Sequence, residues 1–264
     1  MRGEVKRGPM GDGLMGERIL ITSGKGGAGK STLAVNCGAA LAAMGKKVLL
    51  IDADAGMRAL DLMLSVSDQV VFDLSDVLAG RCEPVKAILG CAQTGLSLMP
   101  APQTVSGELY EPDAMHRLCK GLSRYYDYVL IDSPAGIGPG AMTAAAGAET
   151  ALVVSTADPV SVRDAERMAS ILIDKGMDGL RLVINRILPR LIRRRLMLDL
   201  DAVIDGVALR LLGVVPEDER VAAACFAGRP VVRGDGREPP RSAAAAYWNI
   251  ARRLQGAEVP LLKL

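Results

Sequence analysis

Ile19-Leu-Ile-Thr22-Ser23-Gly24-Lys25-Gly26-Gly27-Ala28-Gly29-Lys30-Ser31-Thr32 is the stretch on which the fold turns: an apolar run, a glycine-rich turn, then a helix-forming segment. From Gly24 to Ser31 it fits the phosphate-cradling pattern G-x-x-x-x-G-K-[ST] at every fixed position. Glycines let the backbone wrap a polyphosphate with its N–H groups turned inward, and the N-terminus of the following helix adds partial positive charge. The predicted nucleotide-binding set is Gly24, Lys25, Gly26, Gly27, Ala28, Gly29, Lys30, Ser31 and Thr32. Within it, Lys30 reaches the β- and γ-phosphates and Ser31 ligates Mg²⁺. A turn that merely joins a strand to a helix would explain the glycines but not Gly-Lys-Ser at this offset. Gly24, Gly26 and Gly29 also satisfy G-x-G-x-x-G, and a strand ending in Asp52 follows at about the ribose-binding distance of a dinucleotide fold. That pattern has no use for Lys30-Ser31.

Around this motif the chain alternates short apolar runs with longer helical patterns, the habit of βαβ units and a parallel sheet. The spacing predicts strands at Arg18–Ser23, Lys47–Asp52, Leu96–Pro100, Tyr128–Asp132, Ala151–Ser155, Leu180–Asn185 and Leu212–Val215. Helices are predicted at Lys30–Met44, Pro112–Ser123, Gly140–Gly147, Ser161–Lys175, Ile192–Ile204, Glu217–Phe226 and Ser242–Leu254, with a loop at Gly234–Pro240. Right-handed crossovers then place helices on both faces of a doubly wound, mostly parallel sheet in a single α/β P-loop domain. Residues 1–17, glycine-rich and charged, read as a flexible leader in which translation starts at Met1, Met10 or Met15. The domain spans 18–256, and 257–264 is a short tail.

With 264 residues the chain has enough length for one full core. Aromatics are only 3% of it, so that core is built from Leu, Val, Ile, Ala and Met, as suits parallel strands under Ala-rich helices. Lys and Arg number 32 against 30 Asp and Glu, so net charge neither implies nor excludes nucleic acid. Cys37, Cys82, Cys91, Cys119 and Cys225 form no C-x-x-C pair, which argues for reduced, mostly packed thiols in a cytoplasmic protein. One histidine, His116, leaves no zinc site and is expected on a helix surface. No secretory h-region and no run approaching ~20 apolar residues is present.

Two further strand ends bring carboxylates to the same edge as the glycine-rich turn. The strand Lys47–Ile51 ends in Asp52-Ala-Asp54, and the strand Tyr128–Ile131 ends in Asp132-Ser-Pro-Ala-Gly136. Asp132 after four apolar residues has the Walker B form that holds Mg²⁺ through water, and Gly136 and Gly138 give a loop able to move when the γ-phosphate leaves. Helix capping is the competing use for each aspartate.

Lys25 is not required by an ordinary P-loop, and KGGAGKS resembles the deviant Walker A motif of the ParA/MinD ATPase family. The resemblance implies that Lys25 crosses a dimer interface to phosphate of the partner's nucleotide, as an arginine finger does in trans. It makes Asp54 the catalytic residue that orients water, with Lys25 and Lys30 balancing developing charge and Asp52 supporting the Mg²⁺ shell of Ser31 and Asp132. The loops holding Asn185 and Arg186, and Pro216, Glu217 and Asp218, would hold adenine. Because the guanine-reading N-K-x-D pattern is absent, ATP is favoured over GTP. Asp54-Ala-Gly-Met-Arg-Ala-Leu-Asp-Leu62, Asp132-Ser-Pro-Ala-Gly-Ile137, Ser161-Val-Arg-Asp-Ala-Glu-Arg167, Leu212-Gly-Val-Val-Pro-Glu-Asp218 and Gly228-Arg-Pro-Val231 resemble the septum-site-determining MinD branch of the family in particular. That implies an ATP-closed homodimer binding a MinC-like division inhibitor, with a MinE-like or DivIVA-linked factor governing placement. Turnover is then slow alone and faster with a partner. Arg163 and Asp164 fall on the partner-binding face.

The likeness fails at the end of the chain, where MinD proteins continue into an amphipathic membrane helix but this sequence stops at Glu258-Val-Pro-Leu-Leu-Lys-Leu264. Burying its four aliphatic side chains would contribute ~1.5–3 kcal/mol each, against ~1–2 kcal/mol per backbone unit ordered. The balance is near zero, so membrane binding is expected to be weak or indirect, peripheral at the inner face of the cell membrane. Arg190, Arg193, Arg194 and Arg195 form a basic cluster that could touch anionic lipid or DNA, although such a run is more often a solvated loop and helix start. The DNA version would support a ParA-like partitioning ATPase, which stays open beside a MinD-like flagellar-number regulator; DNA binding is possible but not favoured. An iron–sulphur reductase lacks its switch cysteine, and a small-molecule synthetase lacks a visible pocket.

Overall fold

A computed structural model describes residues 15–102 and 111–262. Met10 and most of the predicted leader, with the last two tail residues, lie outside the described residues. The strands are β1 (Glu17–Thr22), β2 (Val48–Asp52), β3 (Leu89–Cys91), β4 (Leu96–Met99), β5 (Tyr128–Asp132), β6 (Thr150–Thr156), β7 (Arg181–Ile187) and β8 (Arg210–Pro216). The α-helices are α1 (Lys30–Ala43), α2 (Leu60–Met63), α3 (Leu74–Leu78), α4 (Pro112–Leu122), α5 (Pro139–Ala146), α6 (Pro159–Asp174), α7 (Pro189–Arg193), α8 (Leu200–Val207), α9 (Glu219–Phe226) and α10 (Ala243–Leu254).

They form one eight-stranded sheet in the order β3-β4-β2-β5-β1-β6-β7-β8, parallel throughout except for β3. Because side chains alternate across a strand, β1 sends Ile19 and Ile21 to one face and Leu20 to the other. The first face is closed by α1 and α10, whose Leu33, Leu41, Tyr247 and Ile250 meet Leu50 and Leu130. The second is closed by α4, α5, α6 and α8 through Met115, Ala144, Met168, Leu172 and Val203 against Ile51, Val129 and Ile131. Burial on both faces explains why the central strands read as unbroken apolar runs.

Several expectations shift. β1 begins at Glu17, inside the predicted leader, and Gly16 is wedged so close to the Tyr126 carbonyl that a Cβ would sit 1.8 Å from it. The edge strand β3 and the short α2 and α3 are additions, since three to five residues carry too little periodicity to be seen. The predicted helix Ile192–Ile204 is two helices: Arg195 turns the chain at φ 57°, and Asp199 caps α8 by accepting from the Ala202 N–H at 2.8 Å. The tail is laid on the domain, because Arg253 donates to the carbonyls of Val259 at 3.0 Å and Pro260 at 2.7 Å while also holding the Leu212 carbonyl at 2.9 Å. Leu262 packs against the first core face.

Candidate functional site

The strand order reverses around β1, which puts the glycine-rich turn in the crevice at the carboxyl ends of β5, β1, β6 and β7, where ligands of open α/β sheets bind. Two of its glycines are fixed by close approach. A Cβ on Gly24 would lie 2.2 Å from the Asp164 carbonyl oxygen of α6, and one on Gly29, at φ 95°, 2.2 Å from the Asn185 amide. Asn185, at the end of β7, donates its Nδ2 to the Ala28 carbonyl at 2.8 Å and so braces the turn from beneath.

At its far end Lys30 opens α1 and is 7% exposed, with no ion pair among the described residues. Its ammonium charge acts on both Asp54 and Asp132. Asp52 and Asp132 are cross-strand partners in the β2–β5 register, each about 1% exposed. They differ in their bonds. Asp52 accepts from the backbone N–H groups of Asp54 at 3.1 Å and of Ala59 and Leu60 at 3.2 Å, so it ties down the loop before α2. Asp132 takes a hydrogen bond from Ser31, but its buried Oδ1 has no partner. Burial drives the Asp132 carboxyl well above the usual carboxylate range, the neighbouring Asp52 adds to this, and Ser31 and Lys30 oppose it. Burial also raises Asp52, against its three N–H donors. Asp54, half-buried, is raised by burial and drawn back by Lys30.

Those features fit a phosphate with a divalent cation: a glycine turn with open space beside Gly26 and Gly27, a buried ammonium at its end, and an orphaned carboxylate oxygen on the aspartate that a serine hydroxyl also binds. Gly26 and Gly27 lie exposed on the lip and Ala28 is buried; Thr32 follows in the first turn of α1, its carbonyl taken by Asn36 Nδ2 at 2.8 Å. Gly136, on the loop after Asp132, donates its N–H to the Ser23 carbonyl at 3.1 Å, which links that loop to the start of the turn.

The two lysines have different addresses. Lys25 stands at the rim with its side chain 34% exposed, and its Nζ lies 3.1 Å from both oxygens of Asp158. Asp158 caps α6 by accepting from the Ser161 N–H and also accepts from the Thr156 hydroxyl at 2.6 Å. Burial opposes ionisation there, but the bonds from Thr156, Ser161 and Lys25 hold the carboxyl below its usual range. Sequence reading missed this residue. Asp158-Pro159 is a legible helix start, but nothing local ties it to a lysine 133 positions away.

The predicted base-binding loops are brought together across β7 and β8. Arg186, at φ 59°, pairs with Glu217 at 2.7 Å, and Pro216 is half-buried beneath them. Asp218 caps α9, binds Arg220 at 2.7 Å and accepts from the Ala243 N–H at the head of α10. Arg163 is exposed on α6, with Asp164 half-buried beside it. His116 is exposed on α4, and no cluster of His, Cys, Asp or Glu able to hold a metal by itself occurs among the described residues.

The profile of the CobQ/CobB/MinD/ParA nucleotide binding domain matches residues 19–231. The septum site-determining protein MinD of Bacillus subtilis is 40% identical over 250 residues, covering 94% of this chain and 92% of that protein. MinD of Thermotoga maritima is 37% identical over 94% of this chain and 91% of its own length. Among solved structures, the MinC:MinD cell division complex of Aquifex aeolicus superposes with a TM-score of 0.86 at 37% identity, covering 94% of this chain and 98% of that one. MinD of Pyrococcus horikoshii complexed with Mg-ADP gives 0.81 at 30% identity, over 91% and 96%. With one profile covering most of its length and full-length relatives well above 30% identity, the chain belongs to the MinD/ParA family of nucleotide-binding domains.

Proposed function

We propose that this chain is a Mg²⁺-dependent ATPase that works as an ATP-controlled dimerisation switch in division-site placement, recruiting a MinC-type septation inhibitor. The observation that carries the reading is the pair of lysines in one turn, Lys30 buried at its floor and Lys25 at its rim. A buried ammonium serves the chain's own triphosphate; a rim lysine is placed to serve a neighbour's. The MinC:MinD complex and the Mg-ADP complex among its structural relatives support the partner and the cofactor.

Ser31 and Asp132 would hold Mg²⁺, with Asp52 behind them. The cation supplies charge neutralisation at the phosphate oxygens. Backbone N–H groups from Gly26 to Thr32 hold the phosphates, and the Arg186, Pro216, Glu217 and Asp218 loops flank the base, with Asn185 bracing the turn. Asp54 orients the attacking water. Lys25 must leave Asp158 to reach a partner's nucleotide, so closing the dimer exchanges a half-exposed ion pair, worth about 0–1 kcal/mol, for a phosphate contact. That is a small barrier for a switch. The loop at Gly136 and Gly138 reports the γ-phosphate to the exposed face of α6, where Arg163 and Asp164 meet the inhibitor. A MinE-like or DivIVA-linked factor sets position, and the protein works at the inner face of the membrane through weak or indirect attachment. No helix among the described residues is long and apolar enough to cross a membrane.

The test is light scattering with Mg-ATP. Wild type should double its mass and capture a MinC-type protein, whereas Lys30→Ala stays monomeric and Asp54→Ala forms a dimer that hydrolyses slowly. Dimerisation by Lys30→Ala to the wild-type extent would remove the assignment.

A further inference from the structure

We propose that the loop Leu188–Met197 is a contact surface for the phosphate headgroups of an anionic lipid membrane. It sharpens the peripheral placement proposed above, but rests on different residues and is tested apart from nucleotide binding. The segment Leu188-Pro189-Arg190-Leu191-Ile192-Arg193-Arg194-Arg195-Leu196-Met197 contains only arginine, proline and aliphatic side chains. All four arginines are exposed, and among the described residues none makes a side-chain hydrogen bond or an ion pair, although Arg186 nearby is paired with Glu217. Four exposed guanidinium groups within six residues, none of them paired among the described residues, are a concentrated positive charge that a polyanion would satisfy.

The backbone beneath is built, not loose. Leu191 donates to the Leu188 carbonyl at 2.8 Å, Arg195 to Ile192 and Leu196 to Leu191 at 2.9 Å, and Leu198 to Ala157 at 3.1 Å. Ile192, Met197 and Leu198 turn inward onto the second core face. Leu196 does not; it stands 66% exposed among the arginines. An exposed apolar side chain next in sequence to three exposed arginines suits a bilayer interface, where the guanidinium groups meet phosphates and the leucine enters the acyl boundary. A nucleic-acid surface would be expected to offer Ser, Thr, Asn or Gln to the backbone, and this segment has none.

Co-sedimentation of the full chain with phosphatidylglycerol-containing vesicles, against phosphatidylcholine alone, tests the proposal. Wild type should bind only the anionic vesicles and release them at high salt. Arg193→Gln/Arg194→Gln/Arg195→Gln should lose about 100-fold in partitioning, at about fivefold per arginine, and Leu196→Ser a smaller factor that is insensitive to salt. A fluorescent ATP analogue should bind all variants equally, so that loss of nucleotide binding would be seen separately. Equal binding by wild type and the triple variant, equal binding to both vesicle types, or retention on duplex DNA with none on vesicles would each overturn it.

Discussion

Two loops leave the same edge of the sheet and put their charge to opposite use. The turn after β1 buries one lysine whose charge acts on two carboxylates, whereas the loop after β7 holds four exposed arginines with no ion pair among the described residues. Desolvated charges at short range interact strongly and are poorly screened; exposed ones act over about a Debye length and vanish in salt. Topology gives both loops their place, and local composition decides whether the charge there does chemistry or makes surface contact.

The sharpest way to break this contrast is to empty the buried side. Lys30→Ala should lower Mg-ATP affinity by at least about 100-fold, since a buried charge-assisted contact is removed; calorimetry finding less than a tenfold loss would mean the ammonium is not at the phosphates. Gly24→Ala comes next. Its Cβ would overlap the Asp164 carbonyl at 2.2 Å, and backbone cannot give way cheaply, so unfolding should cost about 2–3 kcal/mol less in denaturant titration. An unchanged midpoint would show that α6 is free to shift.

Asp132→Asn should act in the opposite sense on stability. Its folded pKa is raised, so the protonated form is favoured by folding; stability without Mg²⁺ is present at acid pH and declines as pH rises from the ordinary carboxylate range toward the raised value. The neutral amide removes that decline. Thermal scans in chelator should find the variant melting a few degrees higher than wild type near neutral pH and level with it near pH ~4, while Mg-ATP protection is lost. A variant that melts lower throughout would contradict the assignment of the orphaned carboxylate. Smallest of all, Asp158→Asn should change stability by under about 1 kcal/mol, because the ion pair with Lys25 is half-exposed. Its effect should appear in the salt dependence of dimer formation instead.

Much of the site was legible because its signals are local. Gly24 to Thr32 needs one strand and one helix start, and Asp52 and Asp132 each announce themselves by ending an apolar run. That the two carboxylates are neighbours in register could not be read, since β2 and β5 are separated by some eighty residues, and neither could their unequal bonding. The predicted helix at Ile192–Ile204 failed for a related reason: the apolar periodicity is real, but it belongs to two helices on either side of a turn fixed by Ala157. The lie of the tail could not be read either, because the guanidinium of Arg253 meets its carbonyls only after α10 has docked on β8.

From residues alone came the α/β class, the phosphate-binding turn, the carboxylates at strand ends and the family likeness, because each depends on spacings within about twenty residues, where backbone geometry leaves few choices. The pairing of Lys25 with Asp158, the bracing of the turn by Asn185, the unpartnered oxygen of Asp132 and the clamp on the tail came from packing. These join groups distant along the chain, and which of them meet is set by how two apolar faces close over one sheet, a choice made by the whole core at once.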